Sequence, residues 1–336
     1  MATKSREQLC AELAEMTLDY RAGELCAATP EHVEFWLDQF DEAEPVKTEF
    51  LSELTHVLKQ TYFSKAQAMK FLAELVESEK FTGDAPKTFW SSVSVLNIQQ
   101  GGHSQTEFRA LLEELVDAEL GVNLAGPDNA TQPFIYLDDA LFSGNRVVWD
   151  IRKWLPITPP KFSLRIVVCA LHSGGAFRAK KDLMEDFRKA GKQVDLVFWR
   201  AIRFDNKSNA GAACDVLRLR ALPPDPASAA YVASFGDNKP PAWLRPAYQS
   251  STSKLYSSEA TRDLLERVFW KAGLKVRAMC PQLKITHRPL GYTSTNSTNR
   301  LGFGSLFISF RNCPNNAPLA LWAGDPWYPL FERKAN

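Results

Sequence analysis

The chain has 336 residues, 45% hydrophobic and 24% charged, with a net charge of +1. No apolar run approaches the ~20 residues that span a bilayer, and Met1 to Glu7 lacks the apolar stretch of a signal peptide. An integral membrane protein, and one held to nucleic acid by total charge, are therefore set aside; the length suits one large or two moderate domains.

Cys10, Cys26, Cys169, Cys214, Cys280 and Cys313 are scattered without a CxxC pair, and His32, His56, His103, His172 and His287 show no metal-ligand spacing. The expectation is reduced thiols, a cytoplasmic setting and no metal site built from protein alone. Charge is unevenly spread. Residues 1–100 hold 17 acidic and 9 basic side chains, a net of −8, leaving +9 for the rest. An acidic front and a basic rear suggest two surfaces with different partners, or simply helix faces that differ in charge.

Thr29-Pro30-Glu31 is a helix start, a cap residue followed by proline in the first turn, and Val33, Trp36, Leu37 and Phe40 follow at helical spacing. Phe50, Leu51, Leu54, Val57 and Leu58 form a second stripe, and Ala68, Phe71, Leu72 and Leu75 a third. Residues 1–85 are predicted to be an all-helical N-terminal region. After Gly83 to Pro86 the rhythm changes. Residues 93–98 read as a strand, 99–104 as a loop, 106–120 as a helix, 134–137 as a short strand and 144–154 as a helix. A buried strand over 164–171, a helix over 175–190 stopped by Gly191, and a strand over 194–199 complete the alternation. This pattern predicts an α/β core over 86–205, a parallel sheet with flanking helices. Ligands of such sheets sit at the carboxyl ends of the strands, so the loops after 98, 137, 171 and 199 should converge.

Residues 206–336 read as an extension completing or capping that core. Ala221 to Pro226 and Lys239 to Pro241 are irregular, 257–272 is a helix with Gly273 as its stop, and Thr293 to Asn299 is a polar loop. A strand over 306–310 precedes a tail with Trp322, Trp327, Tyr328 and Phe331, too aromatic to be left in water.

The segment Phe134 to Arg146 concentrates the chemistry. A hydrophobic strand ends in Asp138 and Asp139, Ala140-Leu141-Phe142 makes a short apolar turn, and Ser143-Gly144-Asn145 opens a helix. Paired carboxylates at a strand end can accept hydrogen bonds from a ribose diol or help hold Mg²⁺ on a sugar pyrophosphate. Ser-Gly at a helix start lets backbone N–H groups surround a phosphate, and Arg146 can add charge-assisted bonds. One strand earlier, Gly101, Gly102 and Ser104 suit a second anion, beside His103, which can supply charge or a proton. His172 follows the next strand, where it can reach the cleft or help the turn. Trp199 and Arg200 close the last strand, where Trp199 can stack on a base or serve the core.

This segment resembles the binding signature of the type I phosphoribosyltransferases, a hydrophobic strand running into Asp-Asp, apolar residues and a Thr/Ser-Gly phosphate loop. The resemblance implies phosphoribosyl pyrophosphate or a nucleotide as ligand, with Mg²⁺ carried by its phosphates. By position, Asp138 and Asp139 would face the ribose hydroxyls, Phe142, Ser143, Gly144, Asn145 and Arg146 the 5′-phosphate, and Gly101, Gly102 and Ser104 the pyrophosphate. His172, Trp199 and Arg200 fall in the region of the base. The family places hydroxyl residues where this chain has Phe142 and Arg146, which weakens the expectation of ordinary turnover.

Asn312-Cys-Pro-Asn-Asn316 to Trp322, followed by Trp327 to Phe331, is similar to the closing motif of phosphoribosyltransferase-like proteins of bacterial conflict systems, including retron-associated effectors. That resemblance implies an antiphage role, with a retron reverse transcriptase and its DNA–RNA product as partners. A catalytically silent nucleotide sensor or assembly module, and a nucleic-acid-binding regulator, remain as alternatives.

Overall fold

The computed structural model describes residues 4–124, 133–206, 213–235, 244–245, 253–280, 282–294 and 299–334. They form two compact units, one of residues 1–64 with 206–335 and one of residues 65–205. These do not coincide with the three expected segments: the first three helices join the C-terminal region, and the helices after residue 64 join the sheet.

Unit one opens with α1 (Arg6–Met16), α2 (Pro30–Asp38) and α3 (Glu44–Thr61), which runs into the short strand β1 (Tyr62–Phe63). Ser5 and Gln8 form a capping box on α1. The Thr29 hydroxyl accepts the His32 N–H at 3.2 Å, ahead of Pro30 in the first turn of α2. Val33, Trp36, Leu37, Phe50, Leu51, Leu54, Val57 and Leu58, the stripes legible from spacing, are fully buried.

Unit two begins with α4 (Lys65–Glu77), α5 (Glu79–Thr82) and α6 (Pro86–Ser92). Then β2 (Ser94–Val95), α7 (Ser104–Leu120), β3 (Phe134–Leu141), α8 (Asn145–Trp154), β4 (Lys161–His172), α9 (Ser173–Lys189) and β5 (Gln193–Phe204) alternate. The strands form a parallel sheet in the order β2-β3-β4-β5. One face carries Phe134, Tyr136, Leu164, Ile166, Val168 and Leu196, packed on Val147, Ile151 and Trp154 of α8 and Ala179, Leu183 and Phe187 of α9. On the other, the Arg165 guanidinium lies 4.8 Å from the Phe81 ring centre and 4.6 Å from that of Phe89. The expected α/β architecture, a parallel sheet with flanking helices and helices before it, is the one observed.

Unit one resumes with α10 (Pro226–Ala233), α11 (Glu259–Met279), the hairpin β6 (His287–Arg288) and β7 (Gly291–Tyr292), β8 (Ile308–Ser309) and α12 (Leu319–Trp322). Strand β8 pairs in parallel with β1, so both ends of the chain share one core. The aromatic tail is docked there: the Trp36 and Trp327 indoles both donate to the Ala320 carbonyl, at 2.6 and 3.0 Å. Part of the front-to-rear charge asymmetry is used inside this unit. Glu42 pairs with Arg267 at 3.2 Å and Lys271 at 3.1 Å, and Asp41 with Lys275 at 2.7 Å.

Three local expectations change. Gly273 does not stop its helix; α11 runs six residues further, to Met279. A Cβ at Gly273 would lie 2.5 Å from the Pro289 carbonyl oxygen, so glycine is there for close packing and not for a cap. The last strand of the sheet does not end at Trp199 but at Phe204, because an edge strand alternates exposed and packed residues and so masks its own length. The strands expected over 93–98 and 306–310 pair over only two residues each, the first with β3 and the second with β1. Lys239 to Pro241 and residues 295–298 lie outside the described residues. Among the described residues, no helix is long and apolar enough to cross a membrane.

Candidate active site

Strand β3 carries the aspartates inside the ladder. Asp138 is in register with Val168, and Ala140 with Ala170, so the pair sits within the strand and the turn begins only at Phe142. Asp138 is buried and Asp139 half-buried. The Asp139 N–H donates to Asp138 Oδ1 at 2.9 Å, and the Gln99 amide reaches Asp138 Oδ2 at 3.5 Å. Burial first, and the charge of Asp139 second, push the Asp138 carboxyl up to about 7, against the Ser104 hydroxyl and the Asp139 N–H, which favour the ionised form. Near neutral pH this group can accept or donate, as a ribose diol requires.

The loop after β2 is held by glutamines. The Gln105 amide oxygen accepts the N–H groups of Ile98 and Gln99, both at 2.9 Å. Gln99 Oε1 accepts the Ser104 hydroxyl at 2.7 Å while its amide nitrogen faces Asp138. Between them Gly101 and Gly102 have φ of +77° and +110°, a reversal that side chains resist. Helix α7 starts at Ser104, and His103 stands exposed just before it.

The second loop leads into α8. Gly144, φ +83°, is the cap of that helix, and Ser143 Oγ accepts the Asn145 N–H at 3.3 Å. A Cβ on Gly144 would lie 2.7 Å from the Gly175 carbonyl oxygen and 2.8 Å from the Ala179 Cβ. A Cβ on Gly175 would overlap the Phe142 carbonyl oxygen. The loop 142–144 therefore rests directly on the first turn of α9. Arg146 Nη1 donates to the Gln100 carbonyl at 2.6 Å, and Lys153 Nζ, 3.6 Å from the Trp149 ring centre, donates to Gln100 Oε1 at 2.7 Å. These bonds tie the two loops together. Beneath them the Tyr136 hydroxyl donates to Asp150 Oδ2 at 2.7 Å.

Residues expected near a base are arranged differently. His172 is buried between two rings, Phe142 at 5.0 Å and Phe204 at 5.2 Å. Burial holds its imidazole down to about 3, so it is neutral in ordinary buffers. Trp199 lies in mid-strand, paired with Val167 and edge-on to Phe81 at 5.0 Å. Its ring packs against Phe81 of α5 and does not mark a strand end. Arg200, exposed, is level with Asp138 through Val168. A histidine depressed by burial contributes stability above its unfolded pKa, and this is lost as pH falls through the window from about 6.5 to 3. Substituting His172→Phe is expected to remove about 2 kcal/mol of that loss at pH 5 and to narrow the gap between melting temperatures at pH 7 and pH 5. Ligand affinity should stay within about threefold.

The residues that build the site without being singled out from the sequence are Gln99, Gln100, Gln105, Lys153, Asp150 and Gly175. Gly175 opens the helix that the sequence predicts over 175–190, but its use as a seat for the loop 142–144 depends on tertiary contact. Among the described residues no three His, Cys, Asp or Glu side chains converge as a metal cage. The adjacent Asp138 and Asp139 carboxylates are hard oxygen donors, and they suit a divalent ion most of whose ligands come from a bound pyrophosphate.

No curated protein matches the chain. The family model PRTase-CE matches residues 33–333, spanning both units. With a parallel α/β sheet, an Asp-Asp pair in its second strand and a glycine-capped loop behind it, the chain belongs to the PRTase-CE family and is a phosphoribosyltransferase-like protein.

Proposed function

We propose that the chain binds phosphoribosyl pyrophosphate or a nucleotide and acts at the anomeric carbon of its ribose 5-phosphate unit. The observation that carries this reading is that one loop meets a buried carboxyl while the other is tied to it: Gln99 and Ser104 lie at Asp138, and Arg146 bonds Gln100. Asp138 and Asp139 take the ribose hydroxyls, Ser143 to Arg146 the 5′-phosphate, and Gly101 to Ser104 the pyrophosphate. Magnesium, when bound with the ligand, supplies charge neutralisation on the leaving phosphates. The bond from C1 to the departing atom, an oxygen of pyrophosphate or a nitrogen of a nucleotide's base, breaks with its electron pair going to the leaving group, leaving oxocarbenium character at C1, and an acceptor nucleophile closes on that carbon. Backbone N–H groups at the start of α7 stabilise the charge that leaves.

We further propose, from the similarity of the C-terminal motif, that this activity serves a toxic effector of a retron-type antiphage system, with reverse transcriptase and its DNA–RNA product as partners. The test measures pyrophosphate release and nucleotide loss when the protein meets phosphoribosyl pyrophosphate, Mg²⁺ and a mixed pool of bases and nucleotides. Turnover and growth arrest are expected, both lost in the Asp138→Asn, Asp139→Asn double variant. Turnover or arrest that survives in that variant overturns the enzyme reading. Tight binding without turnover favours a sensor instead, a reading supported by the Phe142 ring, packed at a tilt against His172, where a hydroxyl would grip phosphate.

A further inference from the structure

Unit one holds a cationic cluster of its own. Tyr231 in α10 and Phe235 just beyond it meet edge to face at 5.1 Å. The Arg288 guanidinium lies 4.9 Å from the Phe235 ring centre, that of Arg300 5.5 Å from the same ring, and that of Arg277 5.9 Å from the Tyr231 ring. The Tyr231 hydroxyl donates to the Arg300 carbonyl at 2.8 Å, and Arg277 donates to the carbonyls of Lys284 and His287. Arg288 is 1% exposed, and among the described residues its Nε has no hydrogen-bond partner. No described carboxylate pairs with Arg277 or Arg288.

Arg245 shows how the same unit buries a guanidinium whose charge is structural. Equally hidden, it has Glu259 at 2.6 Å, Asp263 at 2.5 Å and Glu266 at 3.3 Å. Arg288 also donates to the Tyr231 hydroxyl, but a buried cation without a counter-charge costs more than ring contacts and one neutral hydrogen bond offset, and two guanidiniums on one phenyl ring repel each other. Burial, and then the neighbouring Arg288, push the Arg277 guanidinium down as well, with Tyr231 acting in the opposite sense. Planar guanidiniums present paired donors that match tetrahedral oxyanions, and several of them call for more than one negative charge.

We propose that Arg277, Arg288 and Arg300 form a second anion site, one that takes the phosphate or pyrophosphate group of a small molecule. This site is independent of the Asp138 reading. The buried position of Arg288 selects a small ligand over a nucleic-acid backbone.

The test is hydrogen exchange and calorimetry on the full chain at constant ionic strength, with inorganic pyrophosphate, ATP or a single-stranded oligonucleotide as probe. Pyrophosphate should slow exchange at 226–235 and 277–294, with affinity at least tenfold weaker in Arg288→Met. A larger effect from ATP would assign the phosphate to a nucleotide. Arg277→Met, at a partly exposed position, should repeat the loss and stands in if Arg288→Met does not fold. The proposal fails if both variants bind as the parent does, if protection is confined to residues 99–146, or if the oligonucleotide protects these segments better than pyrophosphate.

Discussion

Asp138→Asn should raise the stability of the protein above pH 7 while destroying the ligand binding proposed for Asp138. Asp138 is an acid whose folded pKa lies above its unfolded value, so the folded state holds the extra proton between about pH 4 and 7. Stability therefore falls as pH rises through that window, and the deficit is complete above pH 7. Read as linkage, a shift from the ordinary 3.8 to about 7 corresponds to at most about 4 kcal/mol. Asparagine keeps an acceptor for the Asp139 N–H and removes the charge. We expect the variant to gain about 2–4 kcal/mol at pH 8 in denaturant unfolding and almost nothing at pH 4. Affinity for phosphoribosyl pyrophosphate with Mg²⁺ should drop about a hundredfold, the loss expected when a charge-assisted contact and its orienting role vanish. A variant no more stable at pH 8 than at pH 4, relative to the parent, would show that Asp138 is not held against its charge.

Gly175→Ala should be the most damaging single-methyl change in unit two. The new Cβ has no room, because it meets a backbone carbonyl, that of Phe142, which a rotamer change cannot move. Either α9 or the loop 142–144 must shift, and the proposed phosphate cradle is lost with the second. The expected cost is about 3 kcal/mol or more, at the upper end for overpacking, together with loss of binding to inorganic phosphate. Gly324→Ala, where nothing lies within 4 Å and φ is ordinary, is the matched control and should be nearly neutral. Thermal melts of the two variants side by side decide the point. Equal melting temperatures would mean that the loop does not rest on α9.

Much of the architecture is legible in the sequence because it is locally encoded. The stripe Phe50 to Leu58 and the run Leu164 to Leu171 each carry their own period, and strand–helix alternation then leads to a parallel sheet. The Asp138-Asp139 pair is legible because charge rarely follows a buried strand without a use. Other features depend on partners distant in sequence. Gly273 looks like a stop until Pro289 is seen against it, and Gly175 looks like a turn residue until Phe142 is seen above it. Trp199 looks terminal because edge strand β5 continues as Arg200-Ala-Ile-Arg203, whose polar residues face solvent. The union of residues 1–64 with 206–335 rests on pairings such as Tyr62 with Ile308, which no periodicity announces. In the site itself, charged groups and glycines were visible, while Gln99 and Gln105 were not, since amide side chains gain meaning only from the backbone they hold.

The most direct measurement is hydrogen exchange of the intact protein with and without phosphoribosyl pyrophosphate and Mg²⁺. The two loops joined through Asp138 and Gln100 should be protected together, residues 97–105 and 138–146, and Asp138→Asn should abolish both effects at once. Protection of neither segment, or of one without the other, would contradict a single phosphoribosyl pyrophosphate site at the end of this sheet.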